Sequence, residues 1–331
     1  MSDELENVLG TFNERFNYES IESLYGIKST TQLKDSTPLL ELAKLAKLIK
    51  AHSTKVGILS NETRLRNNEA TLTKQILELE QTVFYLLSLL PLFHNSGHYT
   101  SYLLKHLDEA ILNVLQCIRN MYEEIRQKTE SLVSVGRLWS LTDELLMIAD
   151  EGNLGLLKKH ISSSITLVND TVLELHDWLE EPTLDNSDPF GLGSESDGED
   201  EPEVEGSNTA VPEEMIKFVK GLEGKFKMVK LLLSSFGKSI SLKNPHTKSN
   251  AETLDKLYLV QIEVIEQIDE FASSVFMLGS DFNAKDDEIV AEVNRLDATM
   301  SRLCKLLKKL NKTDAKRNQW IESWETQWRK K

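Results

Sequence analysis

His94 and His98 stand four residues apart, the spacing at which two imidazoles on a helix can share a metal ion. Asn95-Ser96-Gly97 runs between them, a turn-forming triplet, so the two rings are expected to straddle a bend rather than line one helix face. No cysteine or carboxylate lies close in sequence to complete a ligand set, and neither a metal nor another cofactor is expected. Catalytic motifs are equally scarce. The chain has no GxSxG elbow, no GxGxxG or P-loop glycine cluster and no HExxH. Its many aspartates and glutamates fall mostly on polar helix faces, where a carboxylate is ordinarily just solvated. Cys117 and Cys304 each lie among apolar residues at helical spacing and far apart in the chain, which reads as two buried core thiols. The chain is not expected to be an enzyme.

Recognition and modification have better candidates. Residues 185–206, DNSDPFGLGSESDGEDEPEVEG, hold nine carboxylates, four glycines and two prolines. So charged a segment buries too little apolar surface to offset its ordering entropy, and it is expected to be a disordered acidic linker. Ser194 and Ser196 each have an acidic residue three positions on, Asp197 and Glu199, the pattern an acidophilic kinase requires. Phosphorylation would add up to two negative charges at each. Asp188-Pro189-Phe190 places one aromatic in this polar setting, either as a short docking motif or as a cap folded back on the preceding helix. Trp320, Trp324 and Trp328 recur every four residues on one face of a terminal helix. Such a row anchors into a groove, belonging either to the protein's own bundle or to a partner.

The elements that must carry these residues are all helical. Leu72, Ile76, Leu79, Val83, Leu86 and Leu90 alternate steps of four and three, a continuous helical stripe. Comparable stripes run through Leu103–Met121, Leu154–Leu179, Met215–Ile240, Leu257–Leu278 and Ile289–Leu310. Thr37-Pro38 is a helix start, a capping hydroxyl followed by proline in the first turn. Residues 18–35 lack a period and read as loop, Pro91 as the end of one helix, and Asp150-Glu151-Gly152 as a break between two others. No stretch alternates with period two. The expected fold is all-α, two antiparallel helical bundles of the vinculin and α-catenin kind. The expected parts are a short N-terminal helix and loop (1–35), a first bundle (36–183), the acidic linker (184–210) and a second bundle (211–331) that ends in the tryptophan helix.

Bulk properties narrow the function. With 331 residues the chain suits about two domains, and its net charge of −15, about half of it from the linker, argues against direct nucleic-acid binding. The acidic start MSDELENVLG lacks the basic and apolar regions of a signal peptide. No uninterrupted apolar run reaches the roughly 18 residues of a membrane span. The expected location is cytoplasm and nucleus. Oligomeric state stays open.

Several segments carry a family resemblance. LLELAKLAKLIKAHSTKVGIL, QTVFYLLSLLP, VGRLWSLTDELLMI with Trp139, and LHDWLEEPTLDNSDPFGL leading into acids together resemble the cyclin-D-binding protein family, also known as GCIP, over roughly residues 36–310. The resemblance implies a non-enzymatic, protein-binding regulator that restrains the cell cycle through D-type cyclins and their kinases or through transcription-regulatory partners. A vinculin-like adaptor of the cytoskeleton or membrane traffic is the alternative reading of the same bundles.

Overall fold

The computed structural model describes residues 2–129, 133–184, 211–240 and 246–330, apart from the side chains of 62–67 and 237–239. The acidic segment, with Asp188, Pro189, Phe190, Ser194 and Ser196, lies outside the described residues. Among the described residues there are ten α-helices, one 3-10 turn and no strand, so the fold is all-α as expected.

Helix ends follow local chemistry. α1 (Asp3–Arg15) is capped by the Ser2 hydroxyl, and Asp3, Glu4 and Glu6 meet the positive end of its dipole. α2 (Ile21–Tyr25) occupies part of the stretch read as loop. It is closed by a reciprocal Ser20–Ser23 capping box and held by the buried Leu24. α3 (Pro38–Leu59) opens on Thr37-Pro38 as the sequence predicts. α4 (Glu62–His94) is bent at Asn68 and runs one turn past the expected stop at Pro91. A proline so near the C-terminal end forfeits a single intrahelical bond, and Asn95 N–H still reaches Pro91 O at 3.0 Å. α5 (Ser101–Arg126) is capped by Thr100. α6 (Val133–Glu180) is interrupted at Gly152, whose φ of 57° and ψ of −161° are open only to glycine. The remaining helices are α7 (Glu213–Ser239), α8 (Lys248–Leu278), α9 (Asp287–Leu310) and α10 (Ala315–Trp328).

The chain forms two compact units, Met1–Leu157 with Asn244–Asp255, and Lys158–Lys243 with Lys256–Lys331. This division differs from the expected boundary at the acidic segment. The start of α8 belongs to unit 1 because the Asp255 carboxylate accepts from Ser101 N–H at 2.8 Å and from its hydroxyl at 3.1 Å. His246 likewise packs 5.6 Å from the Tyr99 ring, against the bare Cα of Gly152.

In unit 1, α3, α4, α5 and the first part of α6 alternate in direction around an apolar core. The α4 stripe from Leu72 to Leu90 is fully buried, so it serves an intramolecular bundle. Lys50 reaches Asp143 at 2.6 Å between α3 and α6, and Gly57 lets Val135 approach within side-chain contact. Between α5 and α6, Asn153 Oδ1 accepts from Thr100 N–H at 3.0 Å. α1 lies across α4 and α5 and buries Leu5, Leu9 and Phe12.

In unit 2, α7 runs antiparallel to the second part of α6, pairing Lys230 with Asn169 and His176 with Glu223. α9 runs antiparallel to α8, pairing Arg295 with Glu270 and Arg302 with Glu263. α6 and α8 run parallel, as the contacts His160–Tyr258, Ser164–Gln261 and Trp178–Phe276 advance together. Successive helices reverse direction, so every second helix shares a direction.

Candidate protein-docking surface

The residues with chemical potential are mostly turned inward. His94 Nε2 lies 2.9 Å from Asp108 Oδ1, with Asp108 fully buried and the Tyr25 ring tilted at 45° with its centre 4.6 Å away. His98 is exposed beyond the turn, and its backbone carbonyl accepts from Asn153 Nδ2 at 2.8 Å. The two histidines thus diverge across the turn as the sequence suggests. Among the described residues no three His, Cys, Asp or Glu side chains are gathered as metal ligands. Cys117 and Cys304 are free and buried, and burial pushes their thiols up to about 11 and about 12. Neither is poised as a thiolate.

Sequence reasoning missed Glu80. It lies inside unit 1, its Oε2 paired with Arg15 of α1 and its Oε1 without a hydrogen-bond partner among the described residues. Burial raises it to about 7, and the Arg15 charge offsets only part of that rise. The hydroxyl of fully buried Tyr122 is likewise unpartnered. A spacing signal was present, since Glu80 is four residues after Ile76 and three before Val83, on the edge of the buried stripe.

The tryptophan helix packs on its own unit. Trp324 and Trp328 are buried and stacked 5.2 Å apart. Trp324 Nε1 donates to Met228 O at 3.0 Å, and Trp328 Nε1 donates to Asp297 Oδ1 at 3.0 Å. Lys225 Nζ lies 5.0 Å from the centre of the Trp328 ring. Trp320 is only half-buried. The groove that takes these anchors is therefore formed by α7 and α9, so neither Trp324 nor Trp328 is a free docking side chain.

An exposed apolar face does exist, on α4. Leu77, Phe84 and Tyr85 are 43%, 59% and 48% exposed, at helical spacing along the side opposite the buried stripe. Gln81 Nε2 donates to Tyr85 Oη at 2.9 Å and steadies that ring. Phe84 also borders a cleft of about 610 Å³, lined further by Phe16, Tyr18, Leu87, Arg15 and Lys28. The signal was present in QTVFYLLSLL, which is apolar on more than one helical face. For the same reason Asn68–His94 is long and apolar enough to cross a membrane by composition, while 61% of its most apolar window is buried in the bundle.

Fold and surface together define an all-helical bundle protein with an apolar helix face open to solvent. The sequence profile described as "Grap2 and cyclin-D-interacting, N-terminal" matches residues 41–181, which span α3 to α6 and include that face. An uncharacterized protein of Saccharomyces cerevisiae, YLR287C, is 34% identical over 338 residues, covering 97% of this chain and 94% of its own. The chain belongs to the Grap2 and cyclin-D-interacting, or GCIP, family, as the resemblance implied. That family is described by an interaction rather than by a reaction.

Proposed function

We propose that this protein is a non-enzymatic, protein-binding regulator that restrains the cell cycle by engaging a cyclin–kinase complex or a transcription-regulatory partner, in cytoplasm and nucleus. The observation that supports this reading is the coincidence of the cyclin-D-interacting match with the exposed Leu77, Phe84 and Tyr85 on α4. Apolar side chains about half in solvent gain roughly 1 kcal/mol each when a partner covers them. Aromatics are the usual anchors of such contacts. Regulation acts by occupying a partner surface, and Ser194 and Ser196 are its phosphorylation positions.

The test is size-exclusion chromatography of the purified full chain with a D-type cyclin bound to its kinase. Co-elution is expected, with affinity at least tenfold weaker for Phe84→Ser combined with Tyr85→Ser. Failure to co-elute, or an unchanged affinity in the double variant, contradicts the reading. Mass spectrometry of chain isolated from cells checks the serines. A single unmodified peptide over 185–206 removes that part of the proposal.

A further inference from the structure

Within unit 2, the parallel α6 and α8 leave a groove of about 340 Å³ open to solvent. Its floor is apolar, formed by Leu167 (55% exposed), the half-buried Ile265 and the buried Val168 and Ile268. Its rim is acidic: Asp170 and Glu174 on α6, Glu266 and Asp269 on α8, all exposed. The lining spans residues 167 to 174 of α6, about 10 Å or two helical turns at 1.5 Å per residue.

Neither wall carries a permanently charged cation. From His160 to Glu180 on α6, and from Leu257 to Leu278 on α8, there is no lysine or arginine. The carboxylates of α8 that face α9 are neutralised, Glu263 by Arg302 and Glu270 by Arg295. The four at the groove form no ion pair among the described residues. Nor do they gather into a metal-ligand set, so the charge they match is spread along a surface. The chain itself shows how its other grooves are filled. α1 lays apolar residues on α4 and α5 and brings Arg15 to Glu80, while α10 buries two tryptophans and pairs Glu325 with Lys308.

We propose that the α6–α8 groove of unit 2 is a docking site for a basic amphipathic helix of a protein partner. The leucine-like face of that helix would cover Leu167 and Ile265, and its lysines or arginines would pair with Asp170, Glu174, Glu266 and Asp269. Apolar floor and acidic rim together select helix over extended polycation, because only a helix presents an apolar stripe flanked by charge at this spacing. The rim charges govern salt dependence and the association rate. The site is distinct from the α4 face, and this inference stands whether or not that face binds a cyclin.

The test uses the full chain and a fluorescein-labelled 18-residue peptide of leucine and lysine, with leucines at i, i+3, i+4 and i+7. A scrambled peptide of the same composition and a glutamate-for-lysine peptide serve as probes beside it. Fluorescence anisotropy should show the patterned lysine peptide binding at least tenfold more tightly than either. Asp170→Lys with Glu174→Lys should weaken it about tenfold, and Leu167→Ser separately by several-fold, with circular-dichroism melts confirming that each variant folds. Charge reversal at all four rim positions should transfer the preference to the glutamate peptide. Equal binding of the scrambled peptide, unchanged affinity in the folded variants, or no binding at all would overturn the proposal.

Discussion

Units 1 and 2 each bury a glutamate, and the two are driven in opposite directions. In unit 1, burial raises Glu80 to about 7, because Arg15 meets only one of its oxygens. In unit 2, burial also pushes Glu223 up, but the Lys227 hydrogen bond and charge, joined by those of His176, outweigh it and hold the carboxyl below its ordinary range. The difference lies in how deeply each group is buried and in how many polar partners reach it. A deeply buried carboxylate with one oxygen unpartnered is a cost that protonation relieves, whereas hydrogen bonds and nearby positive charge at a shallower site favour the ionised form.

The same contrast runs through the helices recruited from outside each four-helix core. α1 closes unit 1 with apolar packing and a half-exposed Arg15 that reaches the buried Glu80, whereas α10 closes unit 2 with two tryptophans whose N–H groups are both satisfied. Unit 1 should therefore be the pH-sensitive half, and unit 2 should depend on its aromatic anchor. Hydrogen exchange read separately for each unit distinguishes the two behaviours.

The largest effect is expected from Trp324→Ala, which removes a buried indole and its bond to Met228 O. The loss should be about 3–5 kcal/mol, with exchange accelerating in α7, α9 and α10 and little change in unit 1. Gly152→Ala comes next, at about 2–3 kcal/mol. Its positive φ disfavours any side chain, and a Cβ would lie 2.7 Å from His246 Cε1. Here unit 1 should open first, and a thermal melt with unchanged midpoint would contradict the account.

The third effect concerns pH. Glu80 binds its proton more tightly folded than unfolded, so its contribution to stability is present at low pH and is lost as pH rises through about 7. Unit 1 should lose roughly 1–3 kcal/mol between pH 5 and pH 8 from this group, and Glu80→Gln should flatten that slope. Glu223 has the reverse sign. Its stabilisation is present above the ordinary carboxylate range and is lost as pH falls through its depressed folded value. Denaturant melts across pH 3 to 8 would check both signs. The smallest effect belongs to Phe84→Ser with Tyr85→Ser, about 0.5 kcal/mol or less for exposed side chains.

Much of this architecture was legible in the residues. The stripes, the Thr37-Pro38 start, the Gly152 break and the diverging histidines all follow from local rules of period and capping. α2 was not legible, because its capping box uses Ser23 where glutamate or glutamine is the familiar partner and its five residues are too few to show a period. The division into the two units has a different basis. A helix that passes from one core to another has the same apolar stripe throughout, so only long-range contacts such as Ser101–Asp255 locate the division. The exposed face of α4 was hidden by the strength of the stripe behind it. Trp324 and Trp328 showed a docking row, and whose groove they fill became clear only from their bonds to Met228 and Asp297.

If a partner sits on α4's outer face, hydrogen-exchange mass spectrometry of the full chain with and without a D-type cyclin–kinase complex will read it there. Slowed exchange is expected over residues 77–92 of α4 and over the 26–31 segment beside Phe84. Exchange unchanged there at saturating complex, or slowed only in unit 2, would contradict that placement.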